Sequence, residues 1–277
     1  MTLMAEINGT EIFYKIKGEG EPMMMMMHGG LGQDHTVFSP WLKPLEERFK
    51  VIYYDHRGNG RSGRPPLDTL THENFAKDAD ELRKYLGIDK MILFGHSYGS
   101  FLAMEYSIRY QEHLSHLILV GTAPSYEFLD PCREKTIERL ARYGLDTPDN
   151  RVLVEKWILG EFADEAEYNE FGETLDKIYP PHPERSTETI RCFETANYTL
   201  KHCLLKYDVR DALEGIKAPT LVMNGKEDWD TVIEQAELVH KGIPNSDFAV
   251  FEKSGHEPYA DETELFLDTL FDWIEKH

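Results

Sequence analysis

The stretch Met91-Ile92-Leu93-Phe94-Gly95-His96-Ser97-Tyr98-Gly99 decides how this chain folds. Met91 to Phe94 is a short apolar run of the kind that forms a buried strand, and Ser100 to Arg109 carries helical spacing. The pentapeptide between them is Gly-x-Ser-x-Gly, which in a strand-to-helix turn forms a nucleophile elbow. The turn is tight enough that only glycine avoids clashes at its flanks. It lifts the Ser97 hydroxyl out of the sheet towards a base and a substrate.

Downstream, an elbow of this kind is followed in chain order by an acid and then a histidine. Pro219 to Gly225 reads as a buried strand running into Lys226-Glu227-Asp228, and Phe248 to Phe251 as another, running into Gly255-His256. The interval leaves room for one helix (Ile233 to His240) and one strand. Ser97, Asp228 and His256 therefore each follow the carboxyl end of a strand, the edge where open α/β sheets place their sites. Asp230 is the rival acid, and Asp228 is preferred because it directly follows the turn led by Gly225. Of the twelve histidines, only His256 follows the last strand; His72, His113 and His240 read as solvent-facing helix or helix-end residues. The chemistry needs these types. A serine hydroxyl is a weak nucleophile until an imidazole takes its proton. A carboxylate on the other ring nitrogen fixes the tautomer and stabilises the imidazolium that forms.

Upstream, Met23 to Met27 runs into His28-Gly29-Gly30-Leu31-Gly32. An apolar strand ending in His-Gly-Gly builds one side of an oxyanion hole. The backbone N–H of Gly30 is the first expected donor, and that of Tyr98, next after the nucleophile, the second. Five methionines are an unusual strand, but a central strand buried on both faces tolerates them. A copper(I) site with His28 is the competing reading; strand alternation would split the thioethers between two faces.

Further out, Asn8-Gly9 between two alternating runs signals a hairpin. Val37 to Phe49 has helical spacing, Val51 to Tyr54 reads as a strand, and Phe75, Ala79, Leu82 and Leu86 share a helix face. Strands alternating with helices predict a mainly parallel sheet flanked by helices. From Tyr126 to Asp211 strand signals stop, and helices are predicted over Glu134 to Arg142, Arg151 to Phe162, Glu165 to Tyr179 and Thr187 to Leu205. The expected organisation is an α/β core over 1–125, a helical cap over 126–211 and a second core part over 212–277. The cap should shape the substrate site and exclude water. Its acids Glu161, Asp164, Glu165, Glu167, Glu170 and Glu173 read as a solvated face, with binding of a substrate amine as the functional alternative.

The chain has 277 residues, 41% of them hydrophobic, and a formal net charge of −20. Such a charge argues against nucleic acid and anionic membranes as partners. Met1 to Gly9 is short and polar, so no signal peptide is expected. No apolar run approaches the ~20 residues of a membrane span. Three cysteines without ligand spacing predict a reduced, cytoplasmic protein with no metal. No cofactor is expected.

With these motifs in hand, the chain resembles α/β-hydrolase-fold serine hydrolases over nearly its whole length, and among them the prolyl iminopeptidases and their esterase-like relatives. The stretches that carry the likeness are His28-Gly29-Gly30, Asp55-His56-Arg57-Gly58-Asn59-Gly60-Arg61-Ser62, Gly95 to Ser100, Gly225 to Asp228 and Gly255-His256. The resemblance implies that Asp55, Arg57 and Ser62 belong to a structural loop under the site. It also implies an acyl-enzyme mechanism on small or medium esters or amides, or short peptides. The chain departs from the iminopeptidases in carrying Leu31 where they carry proline. The acids that hold a substrate amine in related aminopeptidases align with Trp229 and with Asn197-Tyr198, Glu194 being the nearest acid. Trp229 and Asn197 are therefore the candidate substrate contacts, and these departures shift the balance towards esters. A ligand-binding protein that keeps the fold without the reaction, and a cofactor-free lyase or peroxidase using the same residues, are the alternatives.

Overall fold

The computed structural model describes residues 3–180, 182, 184–185 and 188–277. Its strands are β1 (Leu3–Ile7), β2 (Thr10–Lys17), β3 (Met23–Met27), β4 (Lys50–Tyr54), β5 (Met91–His96), β6 (Leu114–Val120), β7 (Thr220–Gly225) and β8 (Ser246–Phe251). They form one eight-stranded sheet in the order β1-β2-β4-β3-β5-β6-β7-β8. Only the pairings of β1 with β2 and β2 with β4 are antiparallel. The others are parallel, as strand–helix alternation predicts. At the predicted hairpin, Asn8 (φ 44°) and Gly9 (φ 76°) both take the left-handed backbone that a two-residue turn demands.

The helices are α1 (His72–Tyr85), α2 (Tyr98–Tyr110), α3 (Leu129–Arg142), α4 (Pro148–Leu159), α5 (Glu165–Asp176), α6 (Phe193–His202), α7 (Ile233–Gly242), α8 (Pro258–Asp261) and α9 (Thr263–Lys276). The sheet separates two apolar layers. Met25 and Met27 pack with Leu93, Leu117 and the buried faces of α1, α2 and α7. Met24 and Met26 pack with Phe94, Ile118 and Phe266 of α9. Strand alternation thus sends the thioethers into opposite layers, where all four are inaccessible to solvent, and they do not converge as metal ligands.

Three expectations are corrected. Val37 to Phe49 forms no α-helix but two short 3-10 turns, His35–Phe38 and Lys43–Glu47. Pro40 and Pro44 each remove a donor and obstruct the preceding turn. The helix expected from Thr187 begins only at Phe193; Thr187 itself lies outside the described residues. Ile190 N–H donates to Asp34 Oδ2 and Cys192 N–H to the Gly32 carbonyl, so tertiary bonds claim the donors a helix would have used. His72 is not a solvent-facing residue: it packs edge-on against Tyr207 with 12% of its side chain exposed. Burial, with Arg109 nearby, lowers its pKa to about 4.

Between β6 and β7 the described residues hold α3 to α6 and no strand beyond a bridge of Ser125 with Asp208. That bridge is flanked by bonds from Tyr126 N–H to the Tyr207 carbonyl and from Val209 N–H to the Pro124 carbonyl. Among the described residues, no helix is long and apolar enough to cross a membrane.

Candidate active site

β5 enters the elbow and α2 leaves it. Ser97 sits at φ 54°, ψ −127°, a conformation that costs a side-chain-bearing residue about 1–3 kcal/mol. The surroundings enforce it. Ser97 N–H bonds to the Val120 carbonyl at 2.8 Å, and the Ser97 carbonyl accepts from Ser100 N–H (2.8 Å) and Oγ (2.6 Å). The flanking glycines are a steric necessity, because a Cβ on Gly95 would lie 2.4 Å from the Gly99 carbonyl oxygen and one on Gly99 2.1 Å from that of Met27.

The parallel pairing of β7 with β8 carries Asp228 and His256 to the same edge. His256 Nδ1 lies 2.9 Å and 3.1 Å from the two Asp228 oxygens. Asp228 is itself held by Asp230 N–H (2.9 Å), Thr231 N–H (3.0 Å) and Thr231 Oγ1 (3.0 Å). The His256 carbonyl meets His96 Nε2 at 3.0 Å, so the residue before Ser97 is tied to the backbone of the candidate base. Both Ser97 and His256 line one cavity of about 180 Å³. Among the described residues, Ser97 Oγ makes no hydrogen bond to His256. The ring's Nε2 instead lies 3.6 Å from Asp230 Oδ2.

Electrostatics follow from this crowding. Burial works to lower the His256 pKa, but Asp228, Asp230 and Glu257 outweigh it and push it up to about 10. Burial also raises the Asp230 carboxyl, with the His256 charge opposing. Glu257 is held below its usual range: burial would raise it, but Arg185 pairs with it, one contact spanning 2.8 Å. Burial and the neighbouring His256 push His96 down to about 4, so it stays neutral near pH 7.

Gly30 and Tyr98 both border the cavity beside Ser97. The Tyr98 N–H is the first of α2, where no earlier helix carbonyl can accept it. The cavity's remaining wall is part apolar and part charged, and includes the Asp176–Arg191 ion pair. Phe101, Phe128, Leu129, Phe171, Leu200 and Leu204 form an apolar face, while Arg185, Asp230 and Glu257 cluster at the His256 end.

Two predicted contacts are misplaced. Asn197 does not border the cavity; its Oδ1 accepts from Phe162 N–H (3.0 Å) and its Nδ2 donates to the Phe162 carbonyl (3.1 Å), pinning the end of α4 to α6. Trp229 is 3% exposed, packs edge-on against Tyr179 and does not line the Ser97 cavity; it borders a separate pocket with Asp228 and Val232. The cap acids face elsewhere, Glu161 pairing with Lys201 and Glu167 with Lys156. What the sequence missed is the polar end. Asp230 reads in the sequence only as a rival to Asp228. The Arg185–Glu257 pair joins residues 72 positions apart, which no local pattern announces, although a charge next to His256 was a usable signal.

The loop after β4 lies beneath the site. Ser62 Oγ donates to the Asp55 carbonyl and accepts Phe13 N–H, and Arg57 forks onto buried Asp78. Asp34, His35 and Asp55 bring ligand-type atoms within 4.8 Å of one another. Those carboxylates already accept from Thr36, Ile190, Arg61 and His35, so the cluster is a saturated polar knot rather than an open metal site.

A central parallel sheet with a serine elbow and an Asp-paired imidazole at its carboxyl edge defines an α/β-hydrolase architecture. The family model described as alpha/beta hydrolase fold matches residues 22–263, and the chain belongs to that family. It is 30% identical over 295 residues to a proline iminopeptidase of Saccharolobus solfataricus, covering 98% of this chain and 91% of that protein. It is 29% identical over 286 residues to the proline iminopeptidase PfmaB of Pestalotiopsis fici, covering 100% of both. Among solved structures, it resembles the esterase EaEST of Exiguobacterium antarcticum at TM-score 0.71 and 25% identity, covering 99% of this chain and 100% of that one.

Proposed function

We propose that the chain is a serine hydrolase that cleaves small aminoacyl amides or esters through an acyl-enzyme. The observation that carries this reading is that a strained, half-buried serine and an Asp-paired imidazole open onto one cavity. Ser97 Oγ attacks the carbonyl while His256 Nε2 takes its proton and then delivers it to the leaving group. Asp228 holds the Nδ1–H, and the Gly30 and Tyr98 amides receive the developing oxyanion. Water, deprotonated by the same imidazole, then releases the acyl group. The segment 126–211 acts as a cap between core parts 1–125 and 212–277. Its α4, α5 and α6 contribute Trp157, Phe171 and Leu200 to the cavity wall, and the strand-like contact at Ser125 and Asp208 gives it a narrow neck.

Glu257 has Arg185 as its partner, whereas half-buried Asp230, among the described residues, forms no ion pair with a Lys or Arg. A substrate ammonium fits that carboxylate, and the apolar face takes the remainder. The iminopeptidase relatives support the amine reading; the apolar face by itself favours simple acyl esters as the second reading. The three free cysteines suit a cytoplasmic setting.

Turnover of proline p-nitroanilide beside p-nitrophenyl acetate and butyrate, by wild type and Ser97→Ala, tests both levels. The variant should lose about a million-fold in kcat while melting like wild type. Unchanged turnover would remove Ser97 as nucleophile. Ester cleavage without aminoacyl cleavage would leave an esterase.

A further inference from the structure

The nitrogen that must accept the Ser97 proton lies beside a second carboxylate. His256 Nδ1 is bonded to Asp228, its Nε2 lies 3.6 Å from Asp230 Oδ2, and the Ser97 hydroxyl makes no hydrogen bond to it. We propose that Asp230 is a positioning residue that holds the resting imidazole as an imidazolium and releases it as a base only when a cationic substrate group takes over the carboxylate.

The groups around the ring leave few other ways to read the contact. The loop after β7 presents Asp228, Asp230 and the Thr231 hydroxyl, the last 3.4 Å from Nδ1. β5 presents His96, its ring centre 4.9 Å away and its Nε2 on the His256 carbonyl. Glu257 adds negative charge, but Arg185 neutralises it. From α3, Cys132 Sγ offers Asp230 Oδ1 a weak contact at 3.6 Å. His96 is neutral, so the largest charges acting on the ring are those of the Asp228, Asp230 and Glu257 carboxylates. Burial strengthens those fields, consistent with the raised His256 pKa.

An imidazolium with both N–H groups facing carboxylates cannot accept a proton. When an ammonium pairs with Asp230, the field that holds the Nε2 proton is cancelled. That proton passes to water, leaving neutral imidazole with its remaining hydrogen on Nδ1, bonded to Asp228. Nε2 is then free to accept from Ser97 Oγ. The cavity thereby couples substrate charge to base strength: a neutral ester of the same shape would meet an enzyme still protonated. The inference rests on the proposed hydrolase role of Ser97.

The test is the pH midpoint at which phenylmethanesulfonyl fluoride, a neutral probe, labels Ser97. It is measured in wild type and in Asp230→Asn, each with pyrrolidinium chloride or with sodium chloride at equal strength. Occlusion of the cavity by the amine would slow labelling without moving the midpoint, so the midpoint is the readout. The wild-type midpoint should be alkaline and should fall with pyrrolidinium. Below it the labelling rate should rise roughly tenfold for each unit of that fall. Asp230→Asn should show the low midpoint without amine and no further response to it. The wild-type amine response stands alone should the variant fail to fold. A wild-type midpoint that ignores pyrrolidinium, or an Asp230→Asn midpoint equal to wild type, overturns the coupling while leaving the hydrolase intact. No labelling of Ser97 under any condition overturns both.

Discussion

Replacing Gly29 with alanine tests whether the glycine loop and the elbow form one rigid unit. A Cβ at position 29 would stand 2.7 Å from Ser97 Cβ, 2.8 Å from the His96 carbonyl oxygen and 3.0 Å from His96 Nδ1. The first contact falls roughly 0.8 Å short of the near end of ordinary carbon–carbon separation. Ser97 has little freedom to retreat, since its N–H is bonded to the Val120 carbonyl and its own carbonyl to Ser100. His96 is held through Nε2 to the His256 backbone. The loop carrying Gly29 and Gly30 must therefore move, taking the Gly30 amide away from the oxyanion position. Overpacking of this kind costs about 1–3 kcal/mol, lowering Tm by roughly 2–4 °C for each kcal/mol. A displacement near 1 Å at a reacting centre costs about a hundredfold in rate. Gly29→Ala should thus remain folded, melt several degrees early and lose about two orders of magnitude in kcat. Steady-state kinetics on the p-nitrophenyl esters, with a thermal melt of the same sample, gives both numbers. A folded variant with wild-type kcat would refute the reasoning, because it would mean the Gly30 amide contributes nothing at that position.

Asn197→Ala should cost about 1–3 kcal/mol through loss of two bonds to Phe162 and leave kcat/KM unchanged; a selective rise in KM would return Asn197 to the substrate site. The His256 proton gives a pH dependence of stability. Its folded pKa, about 10, lies above the unfolded value near 6.5. The stabilisation is therefore complete below about pH 6.5 and lost as pH rises through about 10. Denaturant midpoints of wild type should fall over that window relative to those of His256→Gln, and parallel profiles would contradict the assignment.

Much of the core was legible because its signals are local. An apolar run buried on both faces announces β3, β5 and β7, and Gly-x-Ser-x-Gly needs only five neighbours to specify a turn. The limits of local reasoning appear at Val37 to Phe49, where periodicity suggested a helix but two prolines broke it. They appear again at 188–192, where core loops claimed the backbone donors. Asn197 and Trp229 failed as substrate contacts for a different cause: position along the chain says which element a residue occupies, not which side of it faces a cavity.

By itself, then, the sequence determined the order of the strands, the elbow and the candidate serine, acid and histidine. These depend on steric rules acting over a few residues. Only the tertiary structure decided the charge environment in which they meet. The Asp230 carboxylate against Nε2 and the Arg185–Glu257 pair join segments far apart in the chain, and electrostatic fields in a buried site depend on distance and solvent exclusion, neither of which sequence separation records.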